Sequence, residues 1–179
     1  MQVFLIRHPR PLLDAGVCYG QRDLAAEDPL PLAARLRELL PVGTPVISSP
    51  LQRARKLACA LHPAPTFDAR LLEIDFGDWE GRRWDDIERQ QLDAWAADVL
   101  HFAPPGGESV AKLLARVVDF AATLAGERVA LVSHSGVMRA LLGHWLQLPL
   151  AEWSALQFDF ARATLIELNG KATLRYMNR

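Results

Sequence analysis

The chain has 179 residues, half of them hydrophobic and 23% charged, a globular composition that argues against disorder. That length fits one domain over residues 1–179, able to bury about 70% of the surface its unfolded chain exposes. Twenty basic against twenty-one acidic side chains leave a net charge of −1, which offers no general field for nucleic acid or an anionic membrane.

Cys18 and Cys59 are too few for a disulfide scaffold. No basic and then apolar leader opens the chain, and no apolar run reaches the ~18 residues of a membrane helix. A cytoplasmic protein is the expectation.

In chain order, Gln2 to Arg7 reads as a continuous apolar strand of the kind buried on both faces. A long Pro- and Gly-containing loop follows, from Pro9 to Pro31. Leu32 to Leu40 is helical in pattern and stopped by Pro41. Pro45 to Ser48 is a short strand, and a helix starts near Pro50 with Ser49 as its cap. Leu71 to Gly81 is irregular, and Trp84 to Leu100 holds one or two helices. Ser109 caps a helix whose stripe runs Val110, Leu113, Leu114, Val117, Val118, Ala121, Leu124.

Arg128 to Ser133 is a strand and Val137 to Leu146 a helix. Gln157 to Phe160, Thr164 to Leu168 and Thr173 to Tyr176 read as strands, the last two joined by an Asn169-Gly170 turn. Alternating strands and helices predict a three-layer α/β/α sandwich with a mostly parallel central sheet.

Three of these strands end in polar residues: Arg7-His8, Ser48-Ser49 and Ser133-His134. Reacting groups in open α/β sheets gather beyond the carboxyl ends of the strands. The second strand leads into a helix with Arg53 in its first turn, the third into Ser135-Gly136 and another helix. Helix N-termini favour anions. Arg7, His8, Arg53 and His134 would therefore surround one dianion, and so many donors suit a phosphoryl group better than a carboxylate.

A lone histidine at a strand end is more often structural than catalytic. Two histidines and two arginines in equivalent places weaken that explanation. His62, His101 and His144 have no such context, no metal-binding His pair is present, and Ser135 lacks the glycines of a hydrolase nucleophile elbow. Trp79, Trp84 and Trp95 read as packing residues, any one of which could line a substrate pocket.

Five segments occur in order: Leu5-Ile6-Arg7-His8, Ser48 to Ala54, Leu72 to Gly81, Pro105 to Ser109, and Val132 to Gly136. Together they resemble the histidine phosphatase, or phosphoglycerate mutase-like, superfamily. The resemblance implies His8 as nucleophile and phosphohistidine, with Arg7, Arg53 and His134 holding the phosphoryl oxygens. It implies Glu73 as the general acid and then base, Glu108 near the phosphate, and neither metal nor cofactor.

An acid able to give a proton near neutral pH needs desolvation or an anion beside it. Leu71, Leu72, Ile74 and Phe76 flank Glu73 in sequence; Asp75 is the competing acid.

Two residues depart from the family pattern. Pro9 stands where glycine is usual and removes an N–H. Asp14 stands where larger mutases carry an amide, and would repel phosphate if it pointed inward, so this loop must run differently. Tyr19 and Gln21 in the loop are candidate substrate contacts. The Cys18-Tyr19-Gly20 segment, with Pro105 to Ser109, is similar to α-ribazole phosphatases of cobalamin biosynthesis.

The reading is a metal-independent phosphomonoesterase acting on a small phosphorylated metabolite, with α-ribazole 5'-phosphate the leading substrate. The alternatives are a broad sugar-phosphate phosphatase, a mutase, for which the chain is short, and a non-catalytic phospho-ligand binder. The apolar C-terminal strands could form a sheet edge that pairs two chains into a homodimer.

Overall fold

The computed structural model describes residues 1–179. Its centre is a six-stranded sheet of β1 (Gln2–Arg7), β2 (Val46–Ser48), β3 (Thr66–Phe67), β4 (Arg128–Ser133), β5 (Ala163–Asn169) and β6 (Lys171–Tyr176), in the order β3-β2-β4-β1-β5-β6. The first four strands run parallel, and β5 and β6 join as antiparallel neighbours. The β5–β6 hairpin turns at Gly170, whose φ of 74° requires a residue tolerant of the left-handed region.

Alternation along the strands feeds two cores. Val3, Leu5, Val129 and Leu131 face α4 (Val110–Ala121) and α5 (Ser135–Leu146). Phe4, Ile6, Ala130 and Val132 face α1 (Pro29–Arg37) and α2 (Gln52–Leu61). Strands apolar on both faces thus carry helices on both faces, the three-layer sandwich. In α4, Val110, Leu113, Val117 and Phe120 are buried, and Ser109 Oγ accepts the Lys112 N–H at 3.3 Å as the cap. Full burial of such a side chain contributes about 1.5–3 kcal/mol, so Val117→Asp would break this layer.

Several expectations shift. The first helix begins at Pro29, because the Asp28 carboxylate caps it and prolines fit its first turn. The helix after β2 begins at Gln52 with Leu51 as its cap residue, not Ser49, whose hydroxyl is engaged elsewhere. The stripe ending at Leu124 outlasts its helix, which stops at Ala121. Gln157 to Phe160 is not a strand: Ala161, at φ 51°, turns the chain there, and Phe158 plugs the core. The sequence reading also missed the short helix α6 (Leu150–Ser154). The Trp84 to Leu100 region holds a 3-10 turn and α3 (Arg89–Ala97).

Candidate active site

Register builds the site. β1 pairs with β4 from Gln2–Arg128 to Arg7–Ser133, so His8 and His134 leave adjacent strands at one level. The His8 N–H donates to Ser133 O at 3.0 Å, and the Ser49 N–H donates to Val132 O at 2.9 Å. Strands β1, β2 and β4 therefore deliver their next residue to the same edge. The rings of His8 and His134 lie 4.9 Å apart between centroids. His8, Arg53 and His134 are all buried.

The His8 ring has one defined tautomer. Its Nδ1 lies 2.6 Å from Pro9 O, and a carbonyl oxygen only accepts, so Nδ1 carries the proton. The Nε2 lone pair is left free. Burial, and then the Arg53 and Arg7 guanidiniums, hold His8 well below its ordinary 6.5. It is a neutral imidazole, the form a nucleophile requires. Proline at position 9, a departure from the family pattern, costs an N–H but retains the carbonyl that orients the ring.

His134 is also pushed well below 6.5, by burial first and then by His8 and the two arginines. Its Nε2 sits 2.8 Å from Ser49 Oγ. Ser49 Oγ also accepts the Leu51 N–H at 3.4 Å, and a hydroxyl with two lone pairs and one proton can either give to or accept from the ring, so this contact does not fix the His134 tautomer.

The arginines are anchored by backbone carbonyls. Arg53 donates through Nη1 to Arg22 O and through Nη2 to Gly20 O, both at 2.6 Å. Arg7 donates through Nη1 to Phe158 O at 2.5 Å and stacks 3.6 Å over the Phe160 ring. Four buried side-chain polar atoms have no hydrogen-bond partner in the protein, and three of them are Arg7 Nε, Arg53 Nε and His134 Nδ1. Unpaired buried donors are costly. Two guanidiniums and a second imidazole, carried by a strand end, a helix and a second strand end, suit an oxyanion.

Beside them is a cavity of about 190 Å³, lined by Tyr19, Glu73, Ser135, Gly136, Trp84 and Arg139 among others. Glu73 accepts the N–H of Ile74 at 3.0 Å and that of Gly136 at 3.3 Å. A Cβ at Gly136 would displace Glu73 Oε1. Asp75, the rival acid, does not line this cavity; its Oδ1 accepts the Gly77 N–H at 2.8 Å.

Other candidates are placed differently. Glu108 pairs with Arg116 at 2.5 Å and accepts the Asp75 N–H. Gln21 donates its amide Nε2 to Glu73 O at 2.9 Å, which supports the Glu73 segment. Tyr19 lines the cavity, 5.2 Å from the Arg53 guanidinium carbon. Asp14 is exposed, as repulsion requires. Burial, then Glu80, pushes the Cys18 thiol up to about 12, so it offers no thiolate. No three His, Cys, Asp or Glu side chains gather to hold a metal.

The sequence reading missed Ser49 as the partner of His134, Arg116 as the anchor of the Glu73 segment, and Arg139. It also missed Glu80, which accepts the backbone N–H groups of Gln21 and Arg22 and so fixes the loop over Arg53. Backbone anchoring leaves no mark in a motif.

The family model described as histidine phosphatase superfamily (branch 1) matches residues 3–178. This chain belongs to the histidine phosphatase superfamily. It is 30% identical to the adenosylcobalamin/alpha-ribazole phosphatase of Salmonella typhimurium, covering 73% of this chain and 75% of that one. It is 29% identical to a glucosyl-3-phosphoglycerate phosphatase of Mycolicibacterium vanbaalenii, covering 94% and 84%. The alpha-ribazole phosphatase structure from Shigella flexneri superimposes with a TM-score of 0.88 at 28% identity, over 100% of this chain and 96% of that one. This histidine phosphatase has no helix long and apolar enough to cross a membrane.

Proposed function

We propose that this histidine phosphatase hydrolyses a small phosphomonoester through a phosphohistidine at His8, with α-ribazole 5'-phosphate as the leading substrate. The observation that carries the mechanism is the His8 ring: neutral, buried, and held by Pro9 O with Nε2 unprotonated.

Nε2 attacks phosphorus as the bond to the leaving oxygen breaks. Arg7, Arg53 and His134 donate to the three equatorial oxygens, where charge spreads in the transition state. Glu73 gives its proton to the leaving oxygen, and the alcohol departs. The Glu73 carboxylate then takes a proton from water, the resulting hydroxide attacks phosphorus, and the P–N bond breaks. His8 and Glu73 return to their starting states, with no metal ion taking part. The α-ribazole assignment rests on the adenosylcobalamin/alpha-ribazole phosphatase relative and on the match to the Shigella structure over the whole chain.

Phosphate release from a panel of esters in EDTA tests this reading. The panel holds α-ribazole 5'-phosphate, 3-phosphoglycerate, fructose 2,6-bisphosphate and p-nitrophenyl phosphate. Turnover lost in His8→Ala, with the highest kcat/KM on α-ribazole 5'-phosphate, is expected. Unchanged turnover in His8→Ala overturns the mechanism. Interconversion of 3- and 2-phosphoglycerate faster than phosphate release makes the enzyme a mutase.

A further inference from the structure

The half-buried Glu80 carboxylate is engaged by backbone alone. Oε1 accepts the N–H of Gln21 at 2.7 Å and that of Phe76 at 3.1 Å, and Oε2 accepts the N–H of Arg22 at 2.9 Å. No cationic side chain forms an ion pair with it. Short pairings bring the two segments together: the Cys18 N–H donates to Arg82 O at 2.9 Å, and the Gly81 N–H to Cys18 O at 2.7 Å. Buried Trp79, the residue before Glu80, anchors this stretch by donating Nε1–H to Gln91 at 2.7 Å. Glycine at position 20 permits the close approach, since at φ 33° an added Cβ would strike Glu80 Oε1.

One peptide unit joins this carboxylate to the phosphate site. The Gly20 C=O and the Gln21 N–H belong to the same planar trans amide and point in opposite directions. Glu80 holds the N–H end, and Arg53 Nη2 holds the C=O end at 2.6 Å. Both bonds are charge-assisted, and each polarises the amide in the sense that strengthens the other. Arg22 repeats the arrangement within one residue: its N–H goes to Glu80 and its carbonyl accepts Arg53 Nη1 at 2.6 Å. A guanidinium is planar, so fixing two nitrogens fixes the direction of the third, the unpartnered Arg53 Nε.

We propose that Glu80 is a positioning residue for catalysis, aiming the Arg53 guanidinium at the phosphoryl oxygens through the Gly20–Gln21 amide. The inference rests on the phosphatase reading above and adds to it the group that sets Arg53. Without the carboxylate the N–H end of the amide is released, the loop turns, and Arg53 is misaimed. The cost falls on the transition state, because an oxyanion donor is worth most in one geometry. The Phe76 N–H gives Glu80 a second route, to the segment of Glu73, and the two routes have different signatures.

Two variants test this. Glu80→Gln keeps the size and one accepting oxygen; Glu80→Met keeps no oxygen. For p-nitrophenyl phosphate and for the best alkyl ester of the panel above, kcat/KM should fall together, by roughly tenfold to a hundredfold in Glu80→Met and by less in Glu80→Gln. Unchanged kcat/KM in both variants overturns the proposal. A nitrophenolate leaves without a proton, so a loss confined to the alkyl ester places Glu80 on the Glu73 route and overturns it as well. In an Arg53→Ala background each Glu80 substitution should cost no more than about twofold, because the group it acts through is gone. An undiminished loss there assigns Glu80 a general structural role, against the proposal. If Glu80→Met does not fold, Glu80→Gln carries the comparison.

Titration with inorganic phosphate, followed by phosphorus NMR, separates this proposal from the reading beneath it. If the parent hydrolyses no ester, the phosphatase reading fails. The Glu80 assignment then stands if Glu80→Gln weakens phosphate binding in the parent but not in Arg53→Ala. It falls if Glu80→Gln leaves phosphate affinity unchanged, or lowers it equally in both backgrounds.

Discussion

Arg116 holds Glu108 at 2.5 Å through Nη2, and the same guanidinium binds the carbonyls of Arg70, Leu72 and Glu73 at 2.7, 2.8 and 3.0 Å. Glu108 in turn accepts the Asp75 N–H at 3.1 Å. This pair, on and just before α4, grips the irregular segment that carries Glu73.

In the proposed mechanism the clamp acts on the proton transfer assigned to Glu73. Arg116→Met should lower kcat roughly tenfold to a hundredfold for an alkyl phosphate, whose leaving oxygen needs a proton. Turnover of p-nitrophenyl phosphate, whose leaving group needs none, should change far less. Equal losses on both esters would assign Arg116 a general structural role. Glu108→Gln should repeat the pattern, and the double variant should show less than the sum of both effects.

Gly136 tests the same carboxylate from the other side. An added Cβ displaces Glu73 Oε1 without touching His8, Arg7 or Arg53. Gly136→Ala is expected to reduce kcat by more than tenfold with KM within about threefold, since a misplaced acid costs the transition state and not ground-state binding. A crystal structure of the variant with Glu73 unmoved and activity intact would refute this.

Stability should fall on the acid side in a defined window. His8 and His134 are held below 6.5 by burial, so the unfolded chain binds protons that the folded chain refuses. Their contribution is complete above the unfolded value of 6.5 and is lost as pH falls below it, by up to about 1.4 kcal/mol per pH unit for each histidine. Asp68, held low by its hydrogen bond from Arg70, adds to the loss only near pH 4 and below. Denaturant midpoints between pH 7.5 and 5 measure it. His134→Gln should reduce the slope by about half, whereas a flat profile in the parent would contradict the buried neutral pair.

Much of the site was legible because it depends on local sequence. Arg7-His8 and Ser133-His134 follow apolar runs that can only be buried strands, and parallel pairing brings their ends together. Ser109 as cap and Asn169-Gly170 as turn are likewise local chemistry. What was missed depends on distant partners. The Arg116 partner of Glu108, eight residues on, left no sign in the motif that carries Glu108. Ser49 had the composition of a cap, yet His134 draws its hydroxyl away. Gln157 to Phe160 alternates like a strand, but the carbonyl of Phe158 is committed to Arg7 and the chain turns at Ala161. An apolar pocket lined by Phe76, Trp84, Trp95 and Trp153 draws on four separate segments, and no single segment announces it.

The central claim is covalent catalysis at His8 Nε2. The direct measurement is rapid quenching of the enzyme with a ³²P-labelled substrate, followed by peptide mapping under alkaline conditions. The account predicts an acid-labile, base-stable phosphate on the peptide containing His8, attached at Nε2, formed and lost at rates compatible with turnover in EDTA, and absent from His8→Ala. Full turnover with no labelled histidine, or label on another residue, would contradict it.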